Sequence, residues 1–184
     1  MPHGLDYDSS SSTLYIADAY NHRILRCLLK NSSCSVAAGG NGQGTTKTKL
    51  SSPHAIFYHS SSNSLIIANY GGNNIVRWIL GATNWILVAG NENGTSGKDS
   101  RRLTGPTDVM LDPMGNLYVA DRGNHRIQFF FNGQLNGTTI AGLTGKSGSN
   151  ATMLSYPNSI ALDNQLNLYV VDHYNHRIQR FLRY

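Results

Sequence analysis

The sequence lacks the features that mark most membrane-spanning, metal-binding and nucleotide-using chains. No run of about 18 apolar residues occurs, so no spanning helix and no membrane insertion are expected. No basic segment leading into an apolar stretch opens the chain, so no secretory leader is read. Met1 runs straight into the opening of a repeat, and the chain therefore reads as part of a longer protein. Cysteines number two, and no Cys or His cluster has the spacing of a structural zinc site. Gly145-Lys146-Ser147 has Ile140 where a phosphate loop needs its first glycine, and no helix follows to receive a phosphate. The glycine-rich run from Gly39 to Gly44 lacks dinucleotide spacing, and no nucleophile elbow is present. These absences leave no residue assigned to catalysis or metal binding, and no cofactor is expected.

Charge is sparse as well. Charged residues make up 14% of the chain against 40% hydrophobic, which excludes general disorder and allows a buried core. The formal charge of +5 suits an acidic partner, although ordinary solubility accounts for it equally well.

What is present is repetition. Leu14 to Ile24 (LYIADAYNHRI), Leu65 to Ile75 (LIIANYGGNNI), Leu117 to Ile127 (LYVADRGNHRI) and Leu168 to Ile178 (LYVVDHYNHRI) share one pattern. A β-branched or aromatic run, an Asp or Asn, a small polar turn and an Ile-led second run read as a β-hairpin. Each hairpin follows a proline and a short apolar segment, at Pro2, Pro53, Pro106 and Pro157, spaced 51, 53 and 51 residues apart. Four strands fit each unit: in the first, around Gly4–Tyr7, Leu14–Ala17, Ile24–Leu29 and Ser35–Ala38. The later fourth strands fall at Trp85–Ala89 and Gly137–Ala141, before loops rich in Gly, Ser, Thr and Lys. The second strands are apolar on both sides of the pleat, as in sheets stacked between sheets, and helices have no place. An all-β, β-propeller architecture of four-stranded blades follows, with units at 2–52, 53–105, 106–156 and a partial 157–184 in one region over 1–184.

The tripeptides Asn21-His22-Arg23, Asn124-His125-Arg126 and Asn175-His176-Arg177, each after a strand ending in Asp, resemble the repeat of the NHL-repeat β-propeller family. The likeness covers nearly the whole chain, and Gly72-Asn73-Asn74 departs from it in the second unit. That family implies about six blades, so an open arc or fragment of a larger propeller is expected. Its edges could self-associate, pairing with another copy. The second unit replaces Asp with Asn69 and Arg with Asn74 together. Joint loss of both charges points to structural ion pairs Asp18–Arg23, Asp121–Arg126 and Asp172–Arg177. The turn histidines are read as hydrogen-bonding neighbouring backbone.

Cys27 and Cys34 flank a turn, and their spacing leaves a disulfide and two free thiols both open. Sequons at Asn31, Asn93, Asn136 and Asn150 all fall in loops and, with a disulfide, favour an extracellular setting. In a propeller the fourth-to-first loops and the second-to-third turns share one face, which carries ten Lys and Arg against five acids. Binding residues are therefore expected there: Tyr20, Arg122, His173 and Tyr174 in the turns, Lys98, Arg101 and Arg102 in the loops. The leading expectation is a non-catalytic binding or scaffold module offering this basic face to a protein or glycan. Two alternatives come from the resemblance. Some RING-and-NHL regulators bind single-stranded RNA on the basic face of such a propeller; here the loops offer little aromatic stacking material beyond Tyr20, Tyr70, Tyr156 and Tyr174. The peptide-amidating lyase is also similar: Pro2-His3 and Pro53-His54 resemble its zinc-holding openings, and Tyr20 and Tyr174 its catalytic tyrosine. Thr107 and Asn158 stand in the other two openings, leaving two of three imidazoles.

Overall fold

In the computed structural model, which describes residues 1–182, the chain forms four antiparallel sheets arranged about a common axis. The last two residues of the unit expected over 157–184, Arg183 and Tyr184, lie outside the described residues. The first sheet comprises β1 (Pro2–Asp8), β2 (Thr13–Asp18), β3 (Arg23–Leu28) and β4 (Ser33–Gly39). The second comprises β5 (Pro53–His59), β6 (Ser64–Asn69), β7 (Asn74–Ile79) and β8 (Ile86–Gly90). The third holds β9 (Pro106–Leu111), β10 (Leu117–Asp121), β11 (Arg126–Phe130) and β12 (Thr138–Gly142), and the fourth β13 (Pro157–Leu162), β14 (Leu168–Asp172) and β15 (Arg177–Phe181). Strands follow one another in chain order within every sheet, the up-and-down meander of a propeller blade.

The opening strands β1, β5, β9 and β13 line the axis, each packing on the next. No comparable packing joins β13 back to β1, so the described residues form an arc. Burial follows from this arrangement. All six residues of β6 are buried because sheets cover both its faces, whereas β2 and β14 alternate between buried and half-buried. Leu5 and Ile178, on the outer sheets, are accordingly 62% and 63% exposed. Three apolar clusters fill the three spaces between sheets. The first, between sheets one and two, is the one that encloses Trp78 and Trp85.

Two details differ from the sequence reading. Each β2–β3-type turn is a single 3-10 turn, and another joins β5 to β6, although no helical segment was expected. The second sheet's last strand begins at Ile86 instead of Trp85. Trp85 leaves the ladder because its backbone N–H donates to Lys47 O at 2.9 Å and its indole N–H to Thr46 O and Lys49 O at 3.1 and 2.9 Å. Cys27 and Cys34 face each other across β3 and β4 and are joined by a disulfide.

Candidate functional site: an axial cavity on the turn face

A local rule of the repeat builds the site. After each opening proline, the register with the second strand slips: between Pro2 and Leu5, at His54, at Thr107, and between Pro157 and Ile160. Such bulges re-aim a side chain. The four residues that follow the prolines, His3, His54, Thr107 and Asn158, all line one cavity of about 800 Å³ at the axis. Tyr20, Tyr70 and Arg122 from the turns, with Ser52, Asp108 and Ser159, complete the wall.

The turns that bring those side chains to the mouth are locked from two sides. In the third sheet, Asp121 Oδ1 accepts from Thr104 N–H at 2.7 Å, while its Oδ2 accepts from Asn124 Nδ2 at 2.7 Å and Arg126 Nε at 2.8 Å. The Arg126 guanidinium then donates to the carbonyls of Lys98, Asp99 and Arg102, fixing the incoming loop. Asp172, Asn175 and Arg177 repeat the arrangement on Ser155, Gly148, Ser149, Asn150 and Met153. Asp18 and Arg23 are likewise paired at 2.8 Å.

The second sheet solves the same problem without charge. Asn69 Oδ1 accepts from Ser51 N–H at 2.7 Å and its Nδ2 donates to Asn74 Oδ1 at 2.9 Å. Gly72 stands where the other turns have Asn, and a Cβ there would lie 2.1 Å from Asn69 Nδ2. The amide pair needs that space. Trp85 takes over the arginine's task of holding the incoming loop through its carbonyls.

The NHR histidine is a joint between blades. His22, Asn73 and His125 all adopt the left-handed conformation. Each accepts the backbone N–H that precedes the next proline: Ser52 to His22 Nδ1 at 3.0 Å, Gly105 to Asn73 Oδ1 at 2.9 Å, and Tyr156 to His125 Nδ1 at 3.1 Å. Asn tolerates this backbone and offers an acceptor, which is why it replaces His in the second unit.

Around the mouth the rings are ordered. His3 stacks on His54 at 4.2 Å, His54 stacks on Tyr70 at 4.2 Å, and Tyr20 approaches His3 edge-on at 6.3 Å. The two imidazoles thus lie face to face instead of converging on a point, and among the described residues no three of His, Cys, Asp and Glu gather as metal ligands. Burial, with the neighbouring His3 and Arg122 charges, lowers the His54 pKa to about 4, so its ring is neutral at pH 7. On the opposite wall, Asp108 accepts from Ser159 Oγ at 2.6 Å and from the backbone N–H groups of Ile160 and Val109 at 2.8 Å. Burial nevertheless raises its pKa above the usual aspartate value. The Arg122 guanidinium lies over the rings of Tyr156 and Tyr174 at 4.9 and 5.9 Å.

Of the residues expected to bind, Tyr20 and Arg122 line the cavity. Tyr174 stands beside it against Tyr156, with His173 stacked on Tyr174 at 5.0 Å. Lys98, Arg101 and Arg102 do not reach the cavity; they sit on the loop held by Arg126, and Arg102 is paired with Asp99 at 2.6 Å. Asp108, Thr107 and Asn158, which also line the cavity, were not among the residues expected to bind. The signal for them was the position after each proline, which the histidines of the first two units occupy.

The NHL repeat family matches residues 1–27, 103–130 and 154–181. Three of the four sheets thus carry NHL repeats, on a β-propeller fold. NHL repeat-containing protein 3 of Mus musculus is 32% identical over 92 residues, covering 50% of this chain and 26% of its own length. An auxiliary nutrient binding protein from Bacteroides thetaiotaomicron superposes with a TM-score of 0.74 at 21% identity, over 96% of this chain and 46% of that one. A gluconolactonase from Xanthomonas campestris gives 0.74 at 17% identity, over 100% and 58%. These structures share the propeller fold across different functions. The chain spans about a fifth to a quarter of the length of the curated relatives it matches.

Proposed function

We propose that the chain is a non-catalytic binding module that receives a glycan or protein partner on its turn face, with the axial cavity as the anchor. The observation that carries this reading is the composition of the cavity wall. An aromatic and imidazole column, Tyr20, His3, His54 and Tyr70, faces hydroxyl, amide and carboxyl groups from Ser52, Thr107, Asp108, Asn158 and Ser159. Ring faces and edges beside a few convergent polar groups fit a sugar, whose C–H faces pack on rings while its hydroxyls take hydrogen bonds. A neutral His54 offers one donor and one acceptor, which suits a hydroxyl. The Cys27–Cys34 bond and the exposed sequon residues Asn31, Asn93, Asn136 and Asn150 support an extracellular setting for that encounter. A glycan array probed with the purified chain tests the reading. Selected glycans should lose binding in Tyr20→Ala and His54→Ala variants; an array with no hit, alongside capture by RNA that depends on Lys98, Arg101 and Arg102, would overturn it.

A further inference from the structure

Apart from Arg101, which is exposed on a loop, Arg122 differs from the other arginines of the turn face. Arg23, Arg126 and Arg177 each pair with the aspartate of their own turn, and Arg102 pairs with Asp99. Arg122 pairs with no carboxylate, and its guanidinium donates to no acceptor among the described residues. It is half-buried, it lines the axial cavity, and its guanidinium carbon lies 4.9 and 5.9 Å from the ring centroids of Tyr156 and Tyr174. Those two rings pack edge to face at 4.7 Å, and the Tyr156 ring also packs edge-on against His125 at 4.4 Å. The cavity's own carboxyl, Asp108, is occupied by Ser159, Ile160 and Val109 and leaves Arg122 unneutralised. The corresponding turn position is Ala19, Tyr70 or His173 in the other units, so this cation belongs to one blade and gives the cavity a polarity.

A guanidinium that sits over aromatic rings and donates to no acceptor keeps its N–H groups free, and two of them on one edge match the two oxygens of a carboxylate. We propose that the axial cavity accepts an acidic glycan, with Arg122 gripping the carboxylate of a uronic-acid residue. The sugar ring then lies toward Tyr20 and His3 and its hydroxyls toward Thr107 and Asn158. This inference rests on the glycan-binding reading above and narrows it to one ligand class.

The test is calorimetric titration with two probes of equal size, tetragalacturonate and its fully methyl-esterified form. The wild-type chain should bind the acid about 10- to 100-fold more tightly than the ester, the range for gaining a charge-assisted bidentate contact. Arg122→Gln should bring the acid down to the affinity of the ester, and Arg122→Lys should lose most of the preference, because an ammonium lacks the planar fork. An unchanged thermal midpoint in both variants shows that they are folded. Equal affinity for acid and ester in the wild type would overturn the carboxylate assignment while leaving glycan binding intact. An acid preference that survives Arg122→Gln and disappears on neutralising Lys98 and Arg101 would move the anion site to the loop rim. No binding of either probe, with a peptide captured instead at the same cavity, would sink the glycan reading itself.

Discussion

Replacing the buried ion pair of the third blade by the amide pair of the second is a transplant that the chain itself has already made. Asp121 and Arg126 have side chains 0% and 3% exposed, so either charge left alone has no access to water. Arg126→Asn strands the Asp121 carboxylate, and Asp121→Asn turns an amide N–H toward the Arg126 and Asn124 donors; each should cost about 3–5 kcal/mol. The cycle is made in an Asn124→Gly background, which gives the amide pair the space that Gly72 gives it, and there the double variant Asp121→Asn, Arg126→Asn restores the Asn69–Asn74 pairing. It forfeits the guanidinium bonds to the Lys98, Asp99 and Arg102 carbonyls, three contacts each worth about 0.5–1.5 kcal/mol net, or about 2–4 kcal/mol together. Simple addition of the single losses would give about 6–10 kcal/mol, so a coupling of at least about 2 kcal/mol is expected. Urea unfolding of the Asn124→Gly background and its three variants, compared at constant m-value, measures it. Single costs that add to the double within about 0.5 kcal/mol would refute the compensation argument.

Three further outcomes follow from the same geometry. His125→Asn should leave stability within about 0.5 kcal/mol of wild type, as Asn73 holds the equivalent joint, whereas His125→Ala should cost about 1–3 kcal/mol through the unpaired Tyr156 N–H; equal losses would contradict the joint. His54 has a folded pKa below its unfolded value, so the unfolded chain binds the extra proton first. Its stability contribution is whole above about pH 6.5 and is lost as pH falls toward 4, by about 1–2 kcal/mol once solvent screening is allowed for. A His54→Gln variant should flatten the stability profile in that window, and an unchanged slope would count against the buried neutral ring. Serine replacements of Cys27 and Cys34 open an eight-residue loop, a loss of about 2.5 kcal/mol in the chain-entropy account. Amide exchange should accelerate in Ser33–Gly39 first, and uniform acceleration across all sheets would contradict a local role.

The repeat period and hairpin pattern made the fold legible because both arise locally: alternation, turn residues and the spacing of prolines survive in one dimension. The Asp–Arg pairs were legible for a related reason, since the second unit lost both members together. The cavity was not. His3, His54, Thr107 and Asn158 share a wall only because a bulge follows every proline and the sheets turn about one axis, and sequence spacing carries neither fact. Trp85 was read as a strand residue because its apolar character hides its use as a hydrogen-bond donor. The charge of the basic loop residues is plain in the sequence, whereas the pairing of Arg102 with Asp99 and the hold of Arg126 on the loop's carbonyls are visible only in the folded chain.

The most direct measurement of the central claim is an amide chemical-shift map of the isotope-labelled chain titrated with the tightest glycan from the array. Binding at the axial cavity predicts the largest shifts at His3, Tyr20, His54, Tyr70, Asp108 and Arg122, with Lys98 and Arg101 little moved. Shifts confined to the Lys98–Arg102 loop, with the cavity residues unmoved, would contradict it.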